Sequence, residues 1–477
     1  MPVDTYLTHV HNMNVSQIGG LPNGGLVVSM RRTIGAAATA VVVASLLAAG
    51  CTPGSSPSGG TPPAADGIGP VTFAVGGDDA NIFAALIGPW NKAHPDQRVT
   101  LRRLPEAENG QLAQLTANLQ AGSSTYDVIA MDVIWTAQFA SAGWIIPLES
   151  SMFPLGDFLR PAVDTARYNG HLWAVPYYSN AEVLYYRKDI LAKAGKLPPK
   201  TWAQLAAQAK TVAPKYGLQG YAGQLAPYEG LVVNFADAVQ SAGGSILSPA
   251  GTVTVDSAQA KAGLGFLVDG LRVGWIAKSS LSYEEESSWA DFESGKLLFL
   301  NNWPFIYSYA TQRGPANKVF AKVGIAPLPG QRGPGASSLG GANLAVSAFS
   351  KHQATALAFI QYLTSLPEER QLLTDSGFPP VWTSLYSDPA MDKAFPYLPV
   401  VKQAILAAQP RPSIIDYDQA SLAISSAVYQ ALTFRKSPAE ALAELSQQLT
   451  QIIRDGLRQG GLRQGGLGRG GQGGLRQ

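Results

Sequence analysis

Residues 126–144 read YDVIAMDVIWTAQFASAGW. The first eight, Tyr126 to Val133, form a short apolar run broken only by acidic residues near its ends, which predicts a buried strand. A helical period begins near Trp135, so the stretch reads as strand, acidic corner, helix. Outward from it the same alternation recurs. Strands are expected at 71–75, 99–104, 171–177, 296–301 and 343–348, and helical periodicity at 81–94 and 111–122. Thr201 stands where an N-cap belongs, ahead of WAQLAAQAKTVA. Apolar strands alternating with helices predict parallel sheets covered by helices, an α/β fold. A body from Val71 to about Arg454 is too long for one open sheet, so two lobes are expected, with a ligand cleft between them.

Composition narrows the function. Lys and Arg number 35 against 33 Asp and Glu, a formal charge of +2, so no charge field for holding nucleic acid exists. One cysteine and five histidines exclude a disulfide framework, a Cys-rich zinc module and an iron-sulfur centre. No GxxxxGK[ST] occurs, no strand is followed by GxGxxG, and GxSxG and HExxH are missing. No cofactor, no metal and no catalytic residue is assigned.

The ends read as addressing segments. Arg31 and Arg32 precede an apolar stretch from Ile34 to Ala49, and Leu47-Ala48-Ala49-Gly50-Cys51 resembles a bacterial lipobox. That stretch falls short of the roughly 20 residues a bilayer-spanning helix needs. Cys51 is therefore expected to carry lipid and anchor the chain at a membrane, with an idle cysteine after an ordinary signal as the alternative. The expected organisation is an over-extended start at 1–29, a lipoprotein signal peptide at 30–50 and a flexible tether at 51–69. The tail at 456–477, which repeats Gly-Leu-Arg-Gln, is expected to be a disordered appendage.

Within the body, Trp135, Trp144, Tyr177, Tyr178, Tyr228, Trp289, Trp303 and Phe305 stand beside polar residues. Aromatic faces with hydrogen-bonding neighbours suit a sugar, which has apolar C–H faces and a hydroxyl rim; core packing is the other reading. The run Glu284-Glu285-Glu286 is read either as a solvated helix start or as a glycosidase carboxylate.

Six segments then occur in one order: MDVIWTAQFASAGWIIPL (131–148), YYSNAEVLYYRKDIL (177–191), YEGLVVNFADAVQSAGGSIL (228–247), FESGKLLFLNNWPFIY (292–307), SLGGANLAV (338–346) and PRPSIIDY (410–417). Together they resemble the extracytoplasmic solute-binding proteins of carbohydrate ABC importers, in the trehalose/maltose-binding branch. Within it the likeness runs closest to the trehalose-recycling lipoproteins of mycobacteria. The resemblance covers roughly residues 70–455.

It implies a two-lobed periplasmic-binding-protein-like fold of type II with about three hinge crossings, near Tyr177, Tyr307 and Gly377. Lobe one would hold 70–177 and 308–376, and lobe two 178–307 and 377–455. It implies a non-catalytic receptor, a monomer that captures a disaccharide, trehalose or a related α-linked sugar, and hands it to membrane permease subunits. Asp132 would accept sugar hydroxyls, with Asp78 or Asp79 adding an acceptor. Asn180 stands where several relatives carry Asp. Trp303 and Phe305 resemble the stacking platform, Phe305 replacing a Tyr. Gly340 and Gly341 match a glycine turn that approaches the ligand, and Arg411 resembles a guanidinium that grips adjacent hydroxyls. Tyr228, Glu229 and Glu286 are further candidates. Asp132 as a helix cap, Trp303 as core and Arg411 as a loop ion pair are the structural alternatives. A secreted glycoside hydrolase and a cell-wall-interacting lipoprotein are the functional ones.

Overall fold

The computed structural model describes residues 67–77, 80–307 and 317–469. Cys51, Asp78 and Asp79, together with the start, signal and tether segments up to residue 66, lie outside the described residues.

Val71–Val75, Val99–Arg103 and Val128–Asp132 are strands of one parallel set, with Val71–Val75 between the other two. Val71–Val75 and Val128–Asp132 are mostly apolar and buried, as strands covered on both faces must be, whereas Val99–Arg103, at the sheet edge, buries only Val99. The sheet is completed by Ser338–Val346, which runs antiparallel to Val128–Asp132 on one side and to Val175–Ala181 on the other. A second sheet has the order Val323–Ala326, Val183–Arg187, Leu297–Asn302, Gln219–Ala222. Two of its three pairings are antiparallel. The expectation of parallel sheets is thus corrected to mixed ones. A strand that leaves for, or returns from, the neighbouring lobe enters its sheet at the cleft end and so runs against the strands built locally by helix crossovers.

Each sheet has its own apolar centre. Phe73, Phe83, Met131, Leu344 and Phe359 are buried around the first, and Phe235, Leu264, Phe299, Val428 and Leu442 around the second. The helix Trp202–Thr211 opens as its sequence requires, with the Thr201 hydroxyl accepting from the Gln204 amide at 3.2 Å. The expected strand at 171–177 divides in two. Asn169 and Gly170, both at positive φ, turn His171–Leu172 back onto Arg167–Tyr168, and Val175–Ala181 joins the large sheet.

Sheet membership also moves the expected lobe boundaries. Val175–Ala181 belongs to the first sheet and Val183–Arg187 to the second, so the chain passes between them at Glu182 rather than near Tyr177. Val323–Ala326 pairs with Val183–Arg187, which keeps residues well beyond Tyr307 in lobe two. Helix Leu398–Ala407 packs on Val175–Ala181, so lobe one continues past Gly377. Gly377, at φ 76°, is the left-handed C-cap of helix Leu366–Ser376. The chain returns to lobe two only after Arg411, where helices Tyr417–Leu432 and Pro438–Arg469 pack on Glu229–Ser241 and Ala258–Val273.

The last helix also corrects the expectation of an unstructured tail from Gly456, because it continues to Arg469. Its first turns are anchored by Ala441, Leu442, Leu445 and Leu449, and a helix so nucleated extends at one hydrogen bond per added residue. Among the described residues no helix is long and apolar enough to cross a membrane.

Candidate functional site

A cavity of about 340 Å³ opens where the two sheets face each other, and both lobes line it. Asp132, Asn180, Glu229, Glu286, Trp303, Phe305, Gly340, Gly341 and Arg411, all singled out from the sequence, meet there. Tyr228 stands just behind the wall.

Asp132 ends its strand and points into the cavity. One carboxylate oxygen accepts the Ile134 amide at 3.1 Å, capping the short turn Val133–Trp135, so the cap and the cavity position are the same residue. Arg411 donates to both oxygens of Asp132, at 3.1 and 3.3 Å, and to Glu229 at 2.5 Å. Its fork is engaged by two carboxylates, one from each lobe. The two charges raise its already high pKa against the opposing effect of burial. Its Nε is buried and finds no partner among the described residues.

Glu229 opens helix Glu229–Ser241. Burial pushes its carboxyl up, against the Arg411 charge and the Ser421 and Tyr417 hydroxyls that donate to it at 2.5 and 2.7 Å. Its backbone amide donates to Asn109 of lobe one at 3.0 Å. Glu229 is therefore a brace between lobes and helices, its two carboxylate oxygens accepting from Arg411, Tyr417 and Ser421.

The Trp303 indole lines the same cavity. Tyr185 donates to the Trp303 carbonyl at 2.8 Å, fixing the backbone at the end of strand Leu297–Asn302. Gly340 and Gly341 are not a turn; both lie inside strand Ser338–Val346, paired with Asn180 and Ser179. Gly341 has φ 124°, and a β-carbon there would stand 2.2 Å from the Tyr178 carbonyl. Phe305 stacks on Phe378 at 5.7 Å, and Tyr178 lies 4.6 Å from the same ring, giving one aromatic edge to the cavity.

Phe378 was missed in the sequence, and Glu285 was considered only as part of the run Glu284-Glu285-Glu286, not as a sugar-binding residue. Glu285, one residue before the candidate Glu286, sits at the cavity wall, and Tyr228 donates to it at 2.6 Å. Burial, with Glu286 and Glu284 alongside, pushes its carboxyl up to about 7 despite that hydrogen bond. The signal was present: helix Glu285–Glu293 buries Ser288, Trp289 and Phe292, and Glu285 falls on that inward face three residues before Ser288. Asn180 is 6% exposed, and its Oδ1 finds no partner among the described residues. No group of three or more His, Cys, Asp or Glu among the described residues could hold a metal ion.

Two α/β lobes around a cleft lined by carboxylates from both lobes and by the Trp303 indole define a two-lobed periplasmic binding protein. Residues 76–368 match the family model described as bacterial extracellular solute-binding protein, and the chain belongs to that family. It is similar to a probable ABC transporter-binding protein of Deinococcus radiodurans, with 34% identity over 74% of this chain and 86% of the relative. A maltotriose-binding protein of Pyrococcus abyssi is 24% identical over 65% of this chain and 66% of its own. Among solved structures, maltose-bound T. maritima MalE3 superposes with a TM-score of 0.76 at 31% identity, covering 80% of this chain and 100% of that one. The GacH receptor of Streptomyces glaucescens gives 0.72 at 26%, covering 82% and 100%. These relatives are binding proteins, and so is this chain; the glycoside hydrolase alternative falls with that finding.

Proposed function

We propose that this chain is the lipid-anchored, extracytoplasmic receptor of a carbohydrate ABC importer, a monomer that captures a disaccharide, trehalose or a related α-linked sugar, and delivers it to a permease. The observation that carries this reading is the pairing, in one interlobe cavity, of the Trp303 indole and the Phe305 edge with the acceptors Asp132, Asn180 and Glu285. A pyranose presents apolar faces and a ring of hydroxyl donors, and that pairing matches both. The maltose and maltotriose named for two of the relatives support an α-linked glucoside.

In this reading the passages of chain at Glu182, between Ala326 and Ser338, and after Arg411 are the hinge on which the lobes close. Asp78, Asp79 and a lipid on Cys51 belong to the same proposal. Calorimetric titration with trehalose, maltose and sucrose tests it: saturable heat with an α-linked disaccharide is expected, and silence with all three overturns it. Intact-mass measurement on membrane-extracted protein tests the anchor, an unacylated N-terminus refuting that part.

A further inference from the structure

Helix Glu229–Ser241 begins without a cap of its own. Its N-cap residue is Tyr228, whose side chain makes no capping hydrogen bond and donates instead to Glu285. The first amides of a helix have no partner inside it, and one left unpaired in a buried place is costly. At Glu229 the partner comes from the other lobe: the Asn109 side-chain oxygen accepts the Glu229 amide at 3.0 Å, across 120 positions of sequence.

Both ends of that bond are rigidly carried. Asn109 stands in the first turn of helix Glu108–Gln120, which buries Leu112, Leu115 and Leu119 in the core of lobe one. Glu229 starts a helix that is buried from Glu229 to Gln240 and packs on Ala258–Val273 and Tyr417–Leu432 in lobe two. Neither partner lies in the three passages of chain between the lobes, so the hinge backbone does not hold them together. The bond exists only where the lobes stand as they do here, and a rotation that parts the two helices breaks it. Asn109 is half-buried, and the cavity is lined by its neighbours Ala107, Glu108 and Gln111 rather than by Asn109 itself.

We propose that Asn109 is the latch of the cleft, a positioning residue of lobe one that caps the lobe-two helix when the lobes are together and so sets the affinity for every ligand while touching none. This deepens the sugar-receptor reading and rests on it. A receptor that grips its sugar only when shut has an apparent affinity proportional to its shut fraction, so a bond made only in that state tightens all ligands by one factor. A residue that meets the ligand instead favours some sugars over others. One neutral hydrogen bond is worth about fivefold in such an equilibrium. Replacing Asn by Ala in a helical turn does not weaken the helix that carries it, because Ala is the better helix former.

Titration of the full chain with trehalose, maltose and sucrose, as the parent, N109A and N109D, tests the latch. Each sugar that the parent binds is expected to bind N109A about fivefold more weakly, by the same factor, through faster dissociation at an unchanged association rate. N109D keeps an acceptor oxygen at the same reach and should recover most of the loss. An affinity unchanged in N109A, a loss that differs more than about threefold between two sugars, or an N109D as weak as N109A would each overturn the inference while leaving the receptor reading intact. Deuterium exchange at the Glu229 amide reads the latch without any sugar: exchange at least about fivefold faster in N109A than in the parent is expected, and equal rates overturn it. Silence of the parent with all three sugars therefore refutes the receptor reading, while exchange at that amide still decides whether the lobes are latched.

Discussion

Gly340 lies against the far edge of the Trp303 indole: a β-carbon at that glycine would stand 2.7 Å from the ring's Cη2 and Cζ3. The glycine therefore acts on the cleft through the indole it lets settle. Its neighbour in the adjoining strand, Asn180, would be 3.5 Å from the same β-carbon. Gly340→Ala is expected to push the ring out into the cavity and weaken sugar binding about fivefold, the loss of roughly 1 kcal/mol of aromatic contact. Thermal unfolding should shift little, because the displaced atoms are the free end of a side chain. Titration beside a melting curve separates the two effects; an unchanged affinity would show that Trp303 is not a ligand surface.

Arg411 ties Asp132 of one sheet to Glu229 of a helix in the other lobe, and both the guanidinium and Glu229 are almost fully buried. Removing the cation leaves two carboxylates close together in a poorly solvated place. Arg411→Met should cost about 3–5 kcal/mol in urea unfolding, the range found when one partner of a buried pair is lost. Adding Glu229→Gln to that variant should recover part of the loss, since a neutral amide can still meet the Tyr417 and Ser421 hydroxyls. A double variant no more stable than Arg411→Met would mean that the charge pairing is not what the helices depend on.

Local grammar was readable in advance, and long-range partnership was not. Apolar runs marked the strands at 71–75 and 99–103, and Thr201 announced its helix, because these depend on neighbours within four residues. Asp132, Trp303 and Arg411 were recognisable as candidates from ordered segments, and they do share one cavity. What Arg411 would hold could not be read, since Glu229 lies 182 residues away and is brought to it by the packing of helix Glu229–Ser241 on Tyr417–Leu432. The family resemblance put a hinge crossing near Gly377; in the fold Gly377 ends a helix. Glu285 was passed over in favour of Glu286 because a run of three glutamates conceals which one faces inward until the helical phase is set by Ser288, Trp289 and Phe292.

Glu182, at the passage between the sheets, is 1% exposed and faces Asp237, also buried. Asn301 donates to Glu182 at 2.6 Å and the Ser338 amide donates to Asp237 at 2.5 Å. Burial, then the Asp237 charge, pushes the Glu182 carboxyl well above its usual range, and burial raises Asp237 as well. The folded pair thus keeps a proton that the unfolded chain releases above about pH 4.5. Its stabilising effect is fully present below that pH and is lost as pH rises towards the folded value, with a slope of up to about 1.4 kcal/mol per pH unit. Glu182→Gln carries a permanent neutral group and removes this slope. Urea unfolding of parent and variant from pH 5 to 8 should show the parent losing ground to Glu182→Gln as pH rises; parallel curves would mean that the pair holds no shared proton.

Glu285 gives the cleft its own pH dependence. Its carboxyl, pushed up to about 7 by burial and by Glu286 and Glu284, is half protonated near neutrality, while Tyr228 donates to it from behind. A sugar hydroxyl donates best to the ionised form, so binding favours loss of the proton and affinity should climb as pH rises through 7. Calorimetry with the bound disaccharide is expected to show a gain of up to about tenfold between pH 6 and 8, levelling above. Glu285→Gln, an acceptor that does not titrate, should bind more weakly at pH 8 and show no such rise. Should the parent's affinity stay level across that window, Glu285 does not meet the ligand, and the acceptors at work are Asp132 and Asn180 alone.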